Sequence, residues 1–274
     1  MAIKAEWVSF GKLPAYYALP EKASSPLPAV LVIQEIWGVD AHIEDVTRRI
    51  AAAGYAAFAP DLYSEDGQRP PALTRERVAE LQAFMAGIPA PAWGDQAARQ
   101  AALDKLPPVE RGRVGETYGS LFNLSPEKRA SYAAPLREAV HHLRRERTET
   151  RDQPVACVGF CMGGGLSALL ACEEPELSGA AVFYGSTPPA EKLPQVACPV
   201  IAFYGELDAR VNVGIPAFEE GMKKAGRPYE HHIYPGASHA FFNDGRASYN
   251  VAAARDSYSR LLAFFGRTLV PGSG

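Results

Sequence analysis

The chain has 274 residues, 47 % of them hydrophobic, and its 28 basic and 31 acidic side chains leave a formal net charge of −3. That length can bury an extensive core in one α/β domain, and the mixed charge gives no electrostatic footprint for nucleic acid or an acidic membrane. No apolar run reaches membrane-spanning length, and the N-terminus lacks a basic segment followed by an apolar stretch and a cleavage site, so a cytoplasmic protein with a small-molecule partner is expected.

In chain order, residues 5–19 read as a strand pair. The run Leu31-Val32-Ile33-Gln34-Glu35-Ile36-Trp37-Gly38 is a buried-strand pattern that ends in a carboxylate beside an aromatic residue and a glycine. A charge there is costly unless it has a task, which makes Glu35 a candidate site residue. A helix over 43–53 and a strand over 55–59 follow. From 64 to about 136 come helical patterns at 74–86, 93–106 and 125–147, separated by Pro89, Pro91, Pro107 and Pro108. This segment is expected to form a helical, cap-like insertion near the site. Within it, Arg75 and Arg77 are candidates for binding an acidic substrate, and Trp93 or Tyr118 for walling a pocket. An arginine on a polar helix face is, however, usually only solvated.

Residues 154–159 read as a short buried strand and 166–172 as a small apolar helix, with Gly159-Phe160-Cys161-Met162-Gly163 between them. A nucleophile on so tight a turn is held in a strained conformation, and the positions two before and two after it need almost no side chain. Gly159 and Gly163 meet that need. The helix starting behind Cys161 turns its N–H groups and positive dipole end toward the sulfur, which favours a thiolate and later an oxyanion. Taken alone, the motif could also be a glycine-rich turn around a buried cysteine.

Strand patterns recur at 178–184, 199–204 and 229–234, with helices at 215–225 and 248–265. The second strand runs into Gly205-Glu206-Leu207-Asp208 and the third into Gly236-Ala237-Ser238-His239. Asp208 and His239 then lie in loops at the carboxyl ends of strands, where open parallel sheets place their chemistry. The order nucleophile, acid, histidine matches a nucleophile-elbow triad, with Cys161 as nucleophile, His239 as base and acid, and Asp208 fixing its tautomer. The N–H groups of Ile36 and Met162 are the candidate oxyanion donors. The alternation of strands and helices implies a largely parallel sheet covered on both faces.

Together, Gln34-Glu35-Ile36-Trp37-Gly38-Val39, the run from Gly54 through Pro60-Asp61-Leu62-Tyr63, the Cys161 elbow, and the Asp208 and His239 loops resemble the dienelactone hydrolase family of the α/β-hydrolase fold. The resemblance implies a cofactor-free enzyme that opens lactones or cleaves esters through a Cys-His-Asp triad and an acyl-thioester. It also implies that Glu35 interacts with the resting thiol and helps to deprotonate it when substrate arrives. Two departures bear on the substrate. Ala240 and Asn243 stand where the family tends to show a serine and an arginine that hold a substrate carboxylate, and the 64–136 segment exceeds the compact family pattern.

Other readings are narrower. The pairs His141-His142 and His231-His232 cannot chelate a metal as an i, i+4 pair would, because adjacent side chains diverge. Cys157, Cys161, Cys172 and Cys198 show no CxxC or zinc-ligand spacing. The alternative from another class is a catalytically weak hydrolase scaffold that binds a ligand or senses oxidants through Cys161.

Overall fold

The computed structural model describes residues 2–22, 26–89 and 95–270. Two compact units divide the chain, residues 1–62 with 132–274, and residues 63–131.

The larger unit is built on eight strands, β1 (Ile3–Phe10), β2 (Leu13–Pro20), β3 (Ala29–Ile33), β4 (Ala56–Pro60), β5 (Val155–Phe160), β6 (Leu177–Phe183), β7 (Val200–Gly205) and β8 (Tyr229–Tyr234). They form one sheet in the order β1-β2-β4-β3-β5-β6-β7-β8. The β1-β2 and β2-β4 pairs are antiparallel and the rest are parallel. Every residue of β3, β4, β5 and β7 is buried. That is the pattern of parallel strands covered on both faces, and it explains why these segments read as unbroken apolar runs. The order places β4 on one side of β3 and β5 on the other, so the direction in which the chain adds strands reverses between β3 and β5. Such a switch point opens a crevice at the carboxyl ends of the two strands.

Helices α1 (Ala41–Ala52), α6 (Ala133–Arg145), α7 (Met162–Glu173), α8 (Ala209–Asn212), α9 (Ile215–Lys224) and α10 (Val251–Thr268) belong to this unit. Asp40 starts α1 by accepting the Ile43 N–H at 3.1 Å, and Asn250 starts α10 by accepting the Ala253 N–H at 3.0 Å. In α6 the apolar stripe Leu136, Ala139, Val140 and Leu143 is buried at helical spacing.

The smaller unit is helical, with α2 (Arg75–Ala86), α3 (Gln96–Leu103), α4 (Pro108–Phe122) and α5 (Pro126–Ser131). Val78 and Leu81 of α2 and Val114 and Leu121 of α4 are buried, and Arg113 of α4 pairs with Glu80 of α2. Its helices differ from the patterns read from sequence. Residues 108–122 form a helix that the reading left out, and the pattern at 125–147 is two helices, interrupted at Tyr132. Pro107-Pro108 reads as a breaker, yet proline is well suited to a helix's first turn, whose N–H groups have no partner within the helix. Among the described residues, no helix is long and apolar enough to cross a membrane.

Candidate active site

Cys161 links β5 to α7 with φ +56° and ψ −114°. A side chain in this region is strained, and the neighbouring backbone holds it there. Its N–H donates to the Phe183 carbonyl at 3.0 Å, and its carbonyl accepts from the N–H groups of Gly164 and Gly165 at 3.0 and 3.3 Å. The flanking glycines are required by space. A Cβ on Gly159 would stand 1.9 Å from the Gly163 oxygen, and one on Gly163 would stand 2.4 Å from the carbonyl oxygens of Ile33 and Gln34. The elbow is thereby pressed against the end of β3, the strand that leads into Glu35 and Ile36. Met162 is the first residue of α7.

Asp208 follows β7 and stands at the N-cap of α8, but its side chain does not cap that helix. It accepts a 2.5 Å hydrogen bond from Nδ1 of His239, which follows β8. Two ties between their loops fix this pair, since Leu207 N–H donates to the Ala237 carbonyl at 2.9 Å and Gly236 N–H donates to the Glu206 carboxylate at 2.8 Å. With Nδ1 engaged, Nε2 is the nitrogen left for the Cys161 thiol, which bears on the charge of the ring. Burial opposes charge on the ring. The hydrogen bonds and negative charges of Asp208 and Cys161 outweigh it, and raise the imidazole from its ordinary 6.5 to about 10.

Glu35 is buried at the end of β3, 2 % exposed. Its hydrogen-bond partners among the described residues are Tyr184 and Asn243, not the thiol. The Tyr184 hydroxyl donates to Oε1 at 3.1 Å and Asn243 Nδ2 donates to Oε2 at 2.9 Å. Sequence reasoning gave Tyr184 no role and read Asn243 only as a departure from a family pattern. Tyr184 follows β6, and its ring lies 5.1 Å from that of His239. Burial, reinforced by the charge of Glu35, raises its hydroxyl well above the usual tyrosine range, so it acts as a donor. Cys161, Tyr184 and Ala240 are three of the five non-glycine residues with positive φ among the described residues, a concentration of strain that marks this edge of the sheet.

Among the remaining candidates, Arg77 and Tyr118 have local partners. Arg77 is ion-paired with Glu116 at 2.8 Å and donates to the Arg113 carbonyl. Tyr118 stacks on Phe122 and lies beneath the Arg99 guanidinium, 4.4 Å away. Arg75 opens α2, and Trp93 and Pro91 lie outside the described residues. His141 and His142 diverge, the first toward Glu174 and the second toward Glu146. His141, Glu174 and Glu176 bring ligand atoms within 4.8 Å of one another. Arg137 and Arg145 already lie against those two carboxylates, so the group reads as an ion-pair network.

The model of the family described as "Dienelactone hydrolase family" matches residues 13–269. A Saccharolobus solfataricus protein named "Putative carboxymethylenebutenolidase" is 34 % identical over 93 % of this chain and 94 % of its own length. An Escherichia coli K12 protein of the same name is 30 % identical over 92 % and 82 %. The solved structure of a "Putative Dienelactone Hydrolase" from Klebsiella pneumoniae is similar with a TM-score of 0.72 and 28 % identity, over 97 % of this chain and all of that one. A dienelactone hydrolase-like promiscuous phosphotriesterase from metagenomic libraries shares the fold with a TM-score of 0.66 and 20 % identity, over 98 % of this chain and all of that one. With its switch-point crevice and strained elbow, the chain has the α/β-hydrolase fold and belongs to the dienelactone hydrolase family.

Proposed function

We propose that this chain hydrolyses carboxylic esters or lactones of small molecules, with Cys161 as nucleophile, His239 as acid and base, and Asp208 holding the imidazole. The observation that carries the reading is the Asp208–His239 hydrogen bond at the carboxyl ends of two strands, beside a thiol that ends a third strand on a positive-φ turn and bears on the charge of the ring. A histidine whose charged form is favoured by Asp208 can take the thiol proton on Nε2 as the sulfur attacks. The thiolate attacks the carbonyl carbon, and the oxyanion develops toward the N–H groups of Ile36 and Met162. Collapse breaks the ester C–O bond as His239 protonates the leaving oxygen. Neutral His239 then takes a proton from water, the hydroxide equivalent attacks the thioester, and cleavage of the C–S bond returns the thiolate. Glu35, fixed beside this centre, assists activation of the thiol. A catalytic thiol with three further reduced cysteines suits a reducing compartment such as the cytoplasm.

A panel of dienelactone, p-nitrophenyl esters and neutral lactones tests the reading on the parent, Cys161→Ala, Cys161→Ser and His239→Ala. Cys161→Ala is expected to abolish turnover, and His239→Ala to lower it at least ~100-fold, the scale of a general base. An unchanged rate in His239→Ala removes that residue from the mechanism. No turnover on any substrate, with Cys161 still oxidised by peroxide, favours the redox-sensing alternative.

A further inference from the structure

We propose that β8, the last strand of the sheet, is an interface at which two copies of this chain join edge to edge, antiparallel and in one register, about a twofold axis through His231. Among the described residues β8 pairs with β7 on one side and with no strand on the other. An open edge of this kind is a template for another strand, and chains that keep it single use lysine, proline or a bulge. β8 has none of these within its six residues. Pro228 and Pro235 lie just outside it, and its pairing with β7 runs without a register shift from Tyr229 to Tyr234. Its Ile233 is 46 % exposed.

The backbone fixes which residues can pair. The Pro228 carbonyl accepts the Val200 N–H and the Tyr234 carbonyl accepts the Glu206 N–H, both at 3.0 Å, so the even-numbered residues turn their backbone groups toward β7. Tyr229, His231 and Ile233 turn theirs outward, because these directions alternate along a strand. Antiparallel pairing of two such edges must therefore set odd residues opposite odd residues, with the axis passing through a residue of the strand. An axis at 230 would set Glu230 against the second Glu230. An axis at 232 would set His232 against itself and Ile233 against His231. The axis at His231, between them, sets Glu230 of each copy opposite His232 of the other, and Ile233 opposite Tyr229. The first pair falls at a non-hydrogen-bonded position, where facing side chains come closest, and within one chain the same two groups already meet at 2.7 Å. The second joins the exposed Ile233 to a ring that packs on Phe218, with 4.9 Å between centroids. Like charges directly opposite are destabilising, whereas opposite charges and aromatic–β-branched pairs are stabilising. The strand thus selects its own register.

Sedimentation velocity of the full chain, over about a hundredfold range of protomer concentration, tests the proposal. The parent is expected to pass from monomer to dimer. Glu230→Lys and His232→Glu each remove the complementary pair at two symmetric places, and each should weaken the dimer at least ~10-fold. Mixing these two variants sets the introduced lysine against the introduced glutamate and leaves the native pair intact, so a mixed dimer should form where neither variant associates with itself. The register is read by cysteines in a Cys161→Ala background. His231→Cys should give a disulfide-linked dimer on mild oxidation, because facing residues on the axis have Cα atoms about 5.5 Å apart, within disulfide reach. Ile233→Cys, which faces Tyr229, should not. Thermal melts followed by circular dichroism identify any charge variant that fails to fold, and the cysteine variants then decide the matter alone. Three outcomes would overturn the proposal: a parent that is monomeric throughout, a dimer unmoved by both charge variants, or cross-linking through Ile233→Cys in place of His231→Cys.

Discussion

Four cysteines share this chain, and their surroundings separate one from the other three. Cys157, Cys172 and Cys198 are buried, and burial pushes the first two thiols up to about 12 and about 11 and the third further still. Cys161 is partly exposed on its positive-φ turn and bears on the charge of His239. Because the thiolate is the reacting species, native protein at pH 8 should consume one equivalent of a thiol reagent rapidly, rising to four in urea. Cys161→Ala should consume none before unfolding. A second fast equivalent in the native parent would mean that burial does not control reactivity here. At this scale the sequence was informative where chemistry sits at a local boundary. Cys161, Asp208 and His239 each lie just beyond a strand pattern, so their place at one edge of the sheet could be read. Tyr184 and Asn243 could not, since they reach Glu35 across 149 and 208 positions of chain. The clue to Tyr184, a positive φ on an aromatic residue, exists only in the folded backbone.

At the level of elements, the elbow works because β3, β5 and α7 approach more closely than side chains allow. Gly163→Ala would drive a Cβ to 2.4 Å from the backbone oxygens of Ile33 and Gln34, at the end of β3 just before Glu35, and backbone cannot yield as a flexible side chain can. The expected loss is about 3 kcal/mol in urea denaturation, the upper range for overpacking. Gly112→Ala provides the contrast, since its added methyl meets open space on α4 and should raise stability by roughly 0.5–1 kcal/mol. Equal effects in the two variants would refute the packing argument. The same α4 shows why the smaller unit was less legible. Its glycines 112, 115 and 119 and its opening prolines resemble a loop when read by propensity, while the burial of Val114, Thr117 and Leu121 that holds it helical is tertiary. The central strands presented no such conflict, because their apolar runs are what a doubly covered sheet demands.

Considered as a whole, the larger unit brings residues 161, 208 and 239 together from the ends of three strands, so the protonation of one ring is coupled to folding of the entire sheet. In the parent this coupling is hidden. A thiol that hands its proton to His239 leaves the pair with the same proton count as a neutral cysteine and a neutral histidine in the unfolded chain. Cys161→Ala removes the internal donor, and the imidazole must then take its proton from solvent. Asp208 favours the charged ring against burial. A folded value held above the ordinary 6.5 contributes stability that is complete below the unfolded value and lost as pH rises through the folded one. Without Cys161 the folded value lies lower than in the parent. The difference in unfolding free energy between Cys161→Ala and Cys161→Ala/Asp208→Asn should accordingly be greater at pH 6 than at pH 9.5, by about 1–2 kcal/mol. A difference that stays constant across that interval would show that Asp208 orients a neutral ring without favouring its charge. The thiol would then have to give its proton to Glu35, the other carboxylate beside the site.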